Sequence, residues 1–162
     1  MFKFFKKENI FTDTQRKKLL KITKPLMVAK FNSPTMKGLS TRGDLHKLSG
    51  FKFYINKLKS IIESHYKEKF TVFKCWGRYT QGDHINFHSH VAVDLTINYY
   101  LKNSSGLGTL VRTKNEEINL GGKENSLAVF NASFLHSVPD SSDKLERYTF
   151  IIDLNKKNNG RQ

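Results

Sequence analysis

Residues 75–101 read CWGRYTQGDHINFHSHVAVDLTINYYL, a stretch in which β-type alternation surrounds a close pair of histidines. It carries three of the six histidines, the single tryptophan and the single cysteine. At its centre, His88-Ser89-His90 stands between two segments of β character. Side chains of an extended chain alternate between faces, so His88 and His90 are expected on one face with Ser89 opposed. Two imidazoles on one face can grip a transition metal once a third ligand arrives from elsewhere in the chain.

Toward the C terminus the pattern stays β. Strands are expected at 70–79, 86–91, 94–102, 107–113, 117–120, 126–130, 134–138 and 147–154, punctuated by Ser104-Ser105-Gly106, Gly121-Gly122 and Pro139-Asp140-Ser141-Ser142. The apolar run from Ser126 to Phe130 is followed by a short loop and then His136, a route by which a third imidazole returns to the His88/His90 pair. Arg147 opens the final strand. Alternation puts Arg147 and Thr149 on one face, with Tyr148 and Phe150 on the other. A guanidinium turned into a β-barrel needs an anion, and a carboxylate matches its fork best. Metal ligands with an inward arginine therefore point to a small acid chelated to the metal.

Toward the N terminus the pattern becomes helical. Thr12 and Gln15 form a capping box, which predicts a helix over 13–23, interrupted by Pro25. Residues 26–31 read as a strand, and 32–50, rich in Ser, Thr, Gly and Pro, as loop. Phe51, Tyr54, Ile55, Leu58, Ile61, Ile62 and Tyr66 recur at helical spacing and predict a helix over 51–66, with His65 as a surface or capping residue. Two helices followed by about eight short strands make an α+β chain, helices buttressing a β-sandwich or barrel. One domain over 1–162 is expected, with a basic helical support in 1–69 and a β core carrying the site in 70–154.

Composition narrows the function classes. A hydrophobic fraction of 38% with 13 phenylalanines suits a packed globule and not a disordered tail. No apolar run reaches the length of a membrane span, and the first residues lack the apolar stretch of a secretory signal. A single cysteine excludes an internal disulfide and favours a reducing, cytoplasmic setting. The net charge of +14 is concentrated in residues 1–74, with 18 Lys and Arg against 5 Asp and Glu, whereas residues 75–162 hold 10 against 9. Such a balance suits an acidic or polyanionic partner, nucleic acid included. The lysines are scattered and no nucleic-acid motif accompanies them, which favours a solvated exterior.

Trp76, Gly82-Asp83, His88-x-His90, Asp94-Leu95-Thr96-Ile97-Asn98-Tyr99-Tyr100-Leu101, Phe130, His136-x-Val138-Pro139 and Glu146-Arg147, taken in this order, resemble the 2-oxoglutarate/Fe(II) oxygenases of phage and marine bacterial genomes. More broadly they resemble prolyl-4-hydroxylase-like enzymes of the double-stranded β-helix (jelly-roll) fold. Tyr79, Gly82 and His88 keep a spacing common there, and the resemblance covers roughly 34–154. It implies a dioxygenase that hydroxylates or oxidatively demethylates a substrate, releasing succinate and CO2. It also implies Fe(II), 2-oxoglutarate and O2 as cofactors, with ascorbate stimulatory, and a host cytoplasm if phage-encoded. His88, His90 and His136 would be the catalytic, metal-binding set. Arg147, Thr149 and Tyr79 would bind the far carboxylate of 2-oxoglutarate.

One departure bears on the metal. Most oxygenases of that fold place Asp or Glu two residues after the first histidine, where this chain has His90. Either His90 ligates, or it stands behind the ligands, or Asp94 supplies the carboxylate. A cupin-like metal-binding protein, or a basic binding module without 2-oxoglutarate turnover, is the alternative, since Gly82, His88-x-His90 and Asp94 also resemble the first cupin motif. In that alternative Arg147 has no role. His84 and His46 are further histidines near the stretch, expected at the strand entrance and in the loop before the second helix. Trp76 and Tyr99 are expected in the core, and Cys75 buried and inert.

Overall fold

The computed structural model describes residues 4–33, 36–139 and 144–157. Two helices, α1 (Asp13–Thr23) and α2 (Lys52–Tyr66), accompany the strands β1 (Phe5–Glu8), β2 (Ala29–Ser33), β3 (Met36–Ser40), β4 (Phe70–Gln81), β5 (Ile85–His88), β6 (Leu95–Asn103), β7 (Leu110–Arg112), β8 (Glu117–Asn119), β9 (Ser126–Asn131), β10 (Leu135–Val138) and β11 (Glu146–Lys156). The strands make one sheet in the order β1-β9-β6-β11-β4-β3-β5-β10-β7-β8, with β2 on β3, and the pairs within it are antiparallel. The turn expected at Pro139–Ser142 lies, from Asp140 onward, outside the described residues.

Both helices form where expected, for the expected reasons. Thr12 caps α1 through its side chain to the Gln15 N–H, and the Gln15 side chain accepts from the Thr12 N–H. Pro25 then seats a 3₁₀ turn, Lys24–Leu26, closed by Met27 N–H to the Lys24 carbonyl at 3.1 Å. That turn consumes the start of the strand expected at 26–31, which begins at Ala29 instead. The segment expected as loop contains β3, which pairs with β2 and then joins the main sheet beside β4. Near the N terminus, where no element was expected, β1 pairs with β9. Short polar strands of this kind carry little hydrophobic pattern and form because a long sheet edge is there to receive them.

The spine is β11, hydrogen-bonded along its length to β4 on one side and β6 on the other. On one face, Tyr148, Phe150, Ile152 and Leu154 join Leu95, Ile97 and Tyr99 of β6 under Leu19 of α1 and Leu58 and Ile62 of α2. Phe51 stacks on Phe150 with centroids 5.9 Å apart, and Phe11 meets Tyr99 edge-on at 5.2 Å. Gly77 on β4 is required here: a Cβ would stand 2.6 Å from Thr23 Cγ2 at the end of α1. A second core of Tyr100, Val111, Leu120, Ala128 and Phe130 lies beyond the opposite face. Between these cores the sheet curls over a pocket lined jointly by β4, β5, β6, β10 and β11. No helix among the described residues is long and apolar enough to cross a membrane.

Candidate metal centre

Three imidazoles meet in that pocket. His88, the last residue of β5, pairs directly with His136 of β10, which places their rings 4.3 Å apart. His90 lies two residues past the end of β5, so the shared strand face expected for His88 and His90 is not what aligns them. Its backbone N–H instead donates to the Ala132 carbonyl at 2.9 Å, tying the bend to the turn before β10. The His90 ring stands 5.4 Å from His88 and 4.8 Å from His136, and the ligand atoms of the three lie within 4.8 Å of one another. Imidazole nitrogens bind a transition metal such as zinc at about 2.0–2.1 Å, so the rings would have to draw inward to hold one.

Hydrogen bonds fix which nitrogen each ring offers. His88 Nδ1 lies 2.9 Å from the Asn86 carbonyl and His136 Nδ1 3.0 Å from the Phe134 carbonyl. A carbonyl only accepts, so each Nδ1 carries the proton and each Nε2 keeps its lone pair. His90 Nδ1 donates to Asp153 Oδ1 at 2.9 Å, and the same oxygen accepts from Thr96 Oγ1 at 2.8 Å. All three rings thus present Nε2. Burial pushes His136 down to about 3, helped by the neighbouring His88, and burial likewise lowers His88. Both are neutral at pH 7, the form that ligates.

The other end of the pocket is cationic. Arg147 is 5% exposed, its guanidinium lies 5.3 Å over the Tyr100 ring, and its Nε and NH1 are buried without a hydrogen-bond partner among the described residues. Tyr100 Oη and Asn98 Nδ2 both meet Thr109 Oγ1, at 3.0 and 2.8 Å. Arg78 also lines the pocket, and burial followed by the charge of Arg147 brings it down to about 10. Arginine keeps its proton at neutral pH nonetheless. No Asp or Glu is among the described lining residues. Buried donors with no acceptor are costly to keep, and a carboxylate entering here would satisfy them bidentately. A divalent metal on the histidines and a dicarboxylate reaching Arg147 both fit the residues present.

The expected residues divide accordingly. His88, His90, His136, Arg147 and Thr149 come together. Asp94 does not: it is exposed, and its carboxylate accepts from the Lys156 N–H at 2.7 Å, pinning the end of β11. Tyr79 does not either, because alternation along β4 turns it to the helix face, where it packs on Tyr148 at 4.7 Å and donates to Gln81. Trp76, expected in the core, lines the pocket with its ring 5.6 Å from His90. Tyr99 and Cys75 are buried, and burial, then the charge of Asp153, raises the Cys75 thiol. His84 lies beside Phe87 and Val138 outside the cluster, His46 in a 3₁₀ turn, and His65 stacks on Phe5. Sequence reasoning missed Arg78 and Asp153. Arg78 sits two residues after Trp76, and Asp153 shares the parity of Arg147 and Thr149, so counting by twos along β4 and β11 finds both.

No protein-family model matches the sequence, and no curated protein matches it. Solved structures do. An oxidoreductase of the 2OG-Fe(II) oxygenase family from Burkholderia pseudomallei superposes with a TM-score of 0.77 at 11% identity, over 97% of this chain and 88% of its own. A prolyl hydroxylase from Trichoplax adhaerens, solved with a hypoxia inducible factor peptide fragment, gives 0.72 at 16% identity over 94% and 83%. HygX from Streptomyces hygroscopicus, with nickel, 2-oxoglutarate and hygromycin B bound, gives 0.73 at 8% identity over 94% and 82%. The mostly antiparallel sheet with two helices is therefore a fold the chain shares with these structures, a 2OG-Fe(II) oxygenase family protein and a prolyl hydroxylase among them.

Proposed function

We propose that the protein is a 2-oxoglutarate- and Fe(II)-dependent dioxygenase, its curled sheet a double-stranded β-helix. The observation that carries this reading is the orphaned Nε and NH1 of Arg147, buried in the same pocket as three histidines that all present Nε2. A structural arginine would be paired; one left open to a pocket is built for an anion. His88, His90 and His136 would hold the iron, and Asp94 and Tyr79 drop out of the machinery. When bound, iron and 2-oxoglutarate couple O2 reduction to oxidation of a substrate C–H bond, with release of succinate and CO2.

The chain's own residues position and shield. Arg147 clamps the far carboxylate of 2-oxoglutarate, with the Thr149 hydroxyl beside it. Asn98, Tyr100 and Thr109 hold one another in a fixed network next to that clamp, so its geometry costs little to set up at binding. Ile85, Val138 and Ile151 supply apolar wall and limit water near the metal. The product would be a hydroxylated or oxidatively demethylated substrate.

Titration of the Mn(II)-loaded protein with 2-oxoglutarate by calorimetry tests the reading directly, followed by succinate release with Fe(II), ascorbate and O2. Saturable binding and slow succinate formation without added substrate are expected. Metal binding with no 2-oxoglutarate binding would transfer the site to a cupin-like or purely metal-binding role.

A further inference from the structure

We infer that Asp153 is the carboxylate of this metal centre, placed one hydrogen bond behind His90 instead of on the metal. The inference rests on the three histidines forming the metal site. Their rings are held by different groups: His88 and His136 each donate Nδ1–H to the backbone carbonyl two residues earlier, a neutral acceptor. His90 alone donates to a carboxylate, and that side chain is 5% exposed.

Burial of a carboxylate is costly unless charge or hydrogen bonds compensate. Asp153 forms no ion pair with Lys or Arg among the described residues; His90 donates to its Oδ1, and Thr96 donates to the same oxygen. The group is therefore directed at the metal site and not at the surface cations in which this chain is rich. A carboxylate behind a ligating histidine fixes ring orientation and makes the free nitrogen a stronger donor, and loss of such a group typically weakens metal affinity about 10- to 100-fold. His90 also occupies the place where most sites of this fold carry an acidic ligand. Moving the negative charge from that ligand to Asp153 leaves the charge of the centre nearly unchanged while freeing His90 to bind as an imidazole. Asp153 is thus a positioning residue, acting through His90.

Co(II) serves as the probe because its visible absorption reports ligand strength. Asp153→Asn keeps shape and the acceptor oxygen but removes the charge; Asp153→Ala removes both. Co(II) affinity by calorimetry is expected to fall about 10-fold in Asp153→Asn and about 100-fold in Asp153→Ala, with a shifted Co(II) band in the Asn variant and an unchanged thermal midpoint of its metal-free form. In a His90→Asp background the hydrogen bond through which Asp153 acts is gone, so adding Asp153→Asn should cost clearly less affinity than it does beside His90, a coupling a double-mutant cycle isolates. Wild-type affinity and spectrum in Asp153→Asn overturn the inference, and so does an equal loss with and without His90→Asp. Should Asp153→Ala fail to fold, the isosteric variant and the cycle decide alone. Failure of the metal site itself looks different: Co(II) binding then survives both His88→Ala and His136→Ala.

Discussion

The two faces of β11 are built on opposite principles although their residues alternate along one strand. Tyr148, Phe150, Ile152 and Leu154 face the helices, all nearly inaccessible, in contact with aromatic and aliphatic side chains. Arg147, Thr149 and Ile151 line the pocket and Asp153 lies on the same strand face behind His90, equally buried, yet together they carry two charges and hydrogen-bonding capacity that the protein does not use up. Burial alone therefore does not distinguish core from site. What distinguishes them is whether the buried groups are satisfied by one another.

Replacement on the helix face has the largest effect on stability. Phe150→Ala deletes a ring stacked on Phe51 beneath both helices. Large-to-small changes of this kind cost about 3–5 kcal/mol. Chemical denaturation should show that loss, while the fraction still folded binds Co(II) with its usual affinity. Weak metal binding in folded Phe150→Ala would mean the faces are coupled through the strand.

The pocket face should answer in the opposite sense. Arg147→Ala removes a charge-assisted clamp and should weaken 2-oxoglutarate binding by about 2–5 kcal/mol, on the order of thirtyfold or more, with metal content intact. Arg147→Lys should recover only part, since an ammonium loses the planar fork. Without ligand, the guanidinium with orphaned Nε and NH1 is a burden, so Arg147→Met should leave the metal-free fold as stable as wild type or more so. A marked fall in the thermal midpoint of Arg147→Met would make Arg147 a structural residue.

This contrast also explains what could be seen in the sequence. Both helices were legible because capping chemistry and 3.6-residue periodicity are local. The inward turn of Arg147 and Thr149 was legible because β alternation is local too. Tyr79 was assigned from the resemblance and Trp76 from its size and apolarity; alternation carried through β4 puts Trp76 with Arg78 and Thr80 toward the pocket and Tyr79 toward the helices. Asp94, the alternative to His90 as third ligand, lies apart for another reason. Sequence proximity to His90 suggested a ligand, but its carboxylate is engaged by the Lys156 N–H, 62 residues away, and proximity says nothing of such contacts. Asp153 was hidden likewise, its link to His90 spanning 63 residues. The strands β1 and β3 have no pattern of their own to read.

Acid acts on the fold from the pocket side. His136 is held near 3 in the fold, well below the ordinary 6.5, so the unfolded chain takes up a proton that the folded one refuses. Its contribution is intact above pH 6.5 and is lost as pH falls toward 3, with a slope of at most about 1.4 kcal/mol per pH unit for one group. Metal-free protein should lose stability between pH 6.5 and 5, before most carboxylates titrate, and His136→Asn should flatten that decline. A flat wild-type profile over this range would show that the ring is protonated in the fold at little cost.

The smallest effect is expected on the helix side, at a half-buried polar anchor near the end of α2. Glu63 accepts from the Phe70 N–H at 3.0 Å, Lys59 Nζ at 2.7 Å and Lys69 Nζ at 3.3 Å, fastening α2 to the start of β4. Burial alone would raise its pKa, but these three bonds outweigh it and bring the carboxyl down from 4.5 to about 2. A depressed carboxylate stabilises the fold above its unfolded value and loses that contribution as pH falls from 4.5 toward 2. Glu63→Gln, which keeps an acceptor for Phe70 but no charge, should cost about 1.5 kcal/mol at pH 7, the scale of a hydrogen bond to a charged group. The difference from wild type should shrink steadily below pH 4.5, whereas the His136-dependent decline sets in about two pH units higher. Co(II) affinity should be untouched throughout, because this anchor holds the scaffold and touches nothing in the pocket. A variant that keeps full stability at pH 7 would show instead that the lysines and the Phe70 N–H are served as well by water as by Glu63.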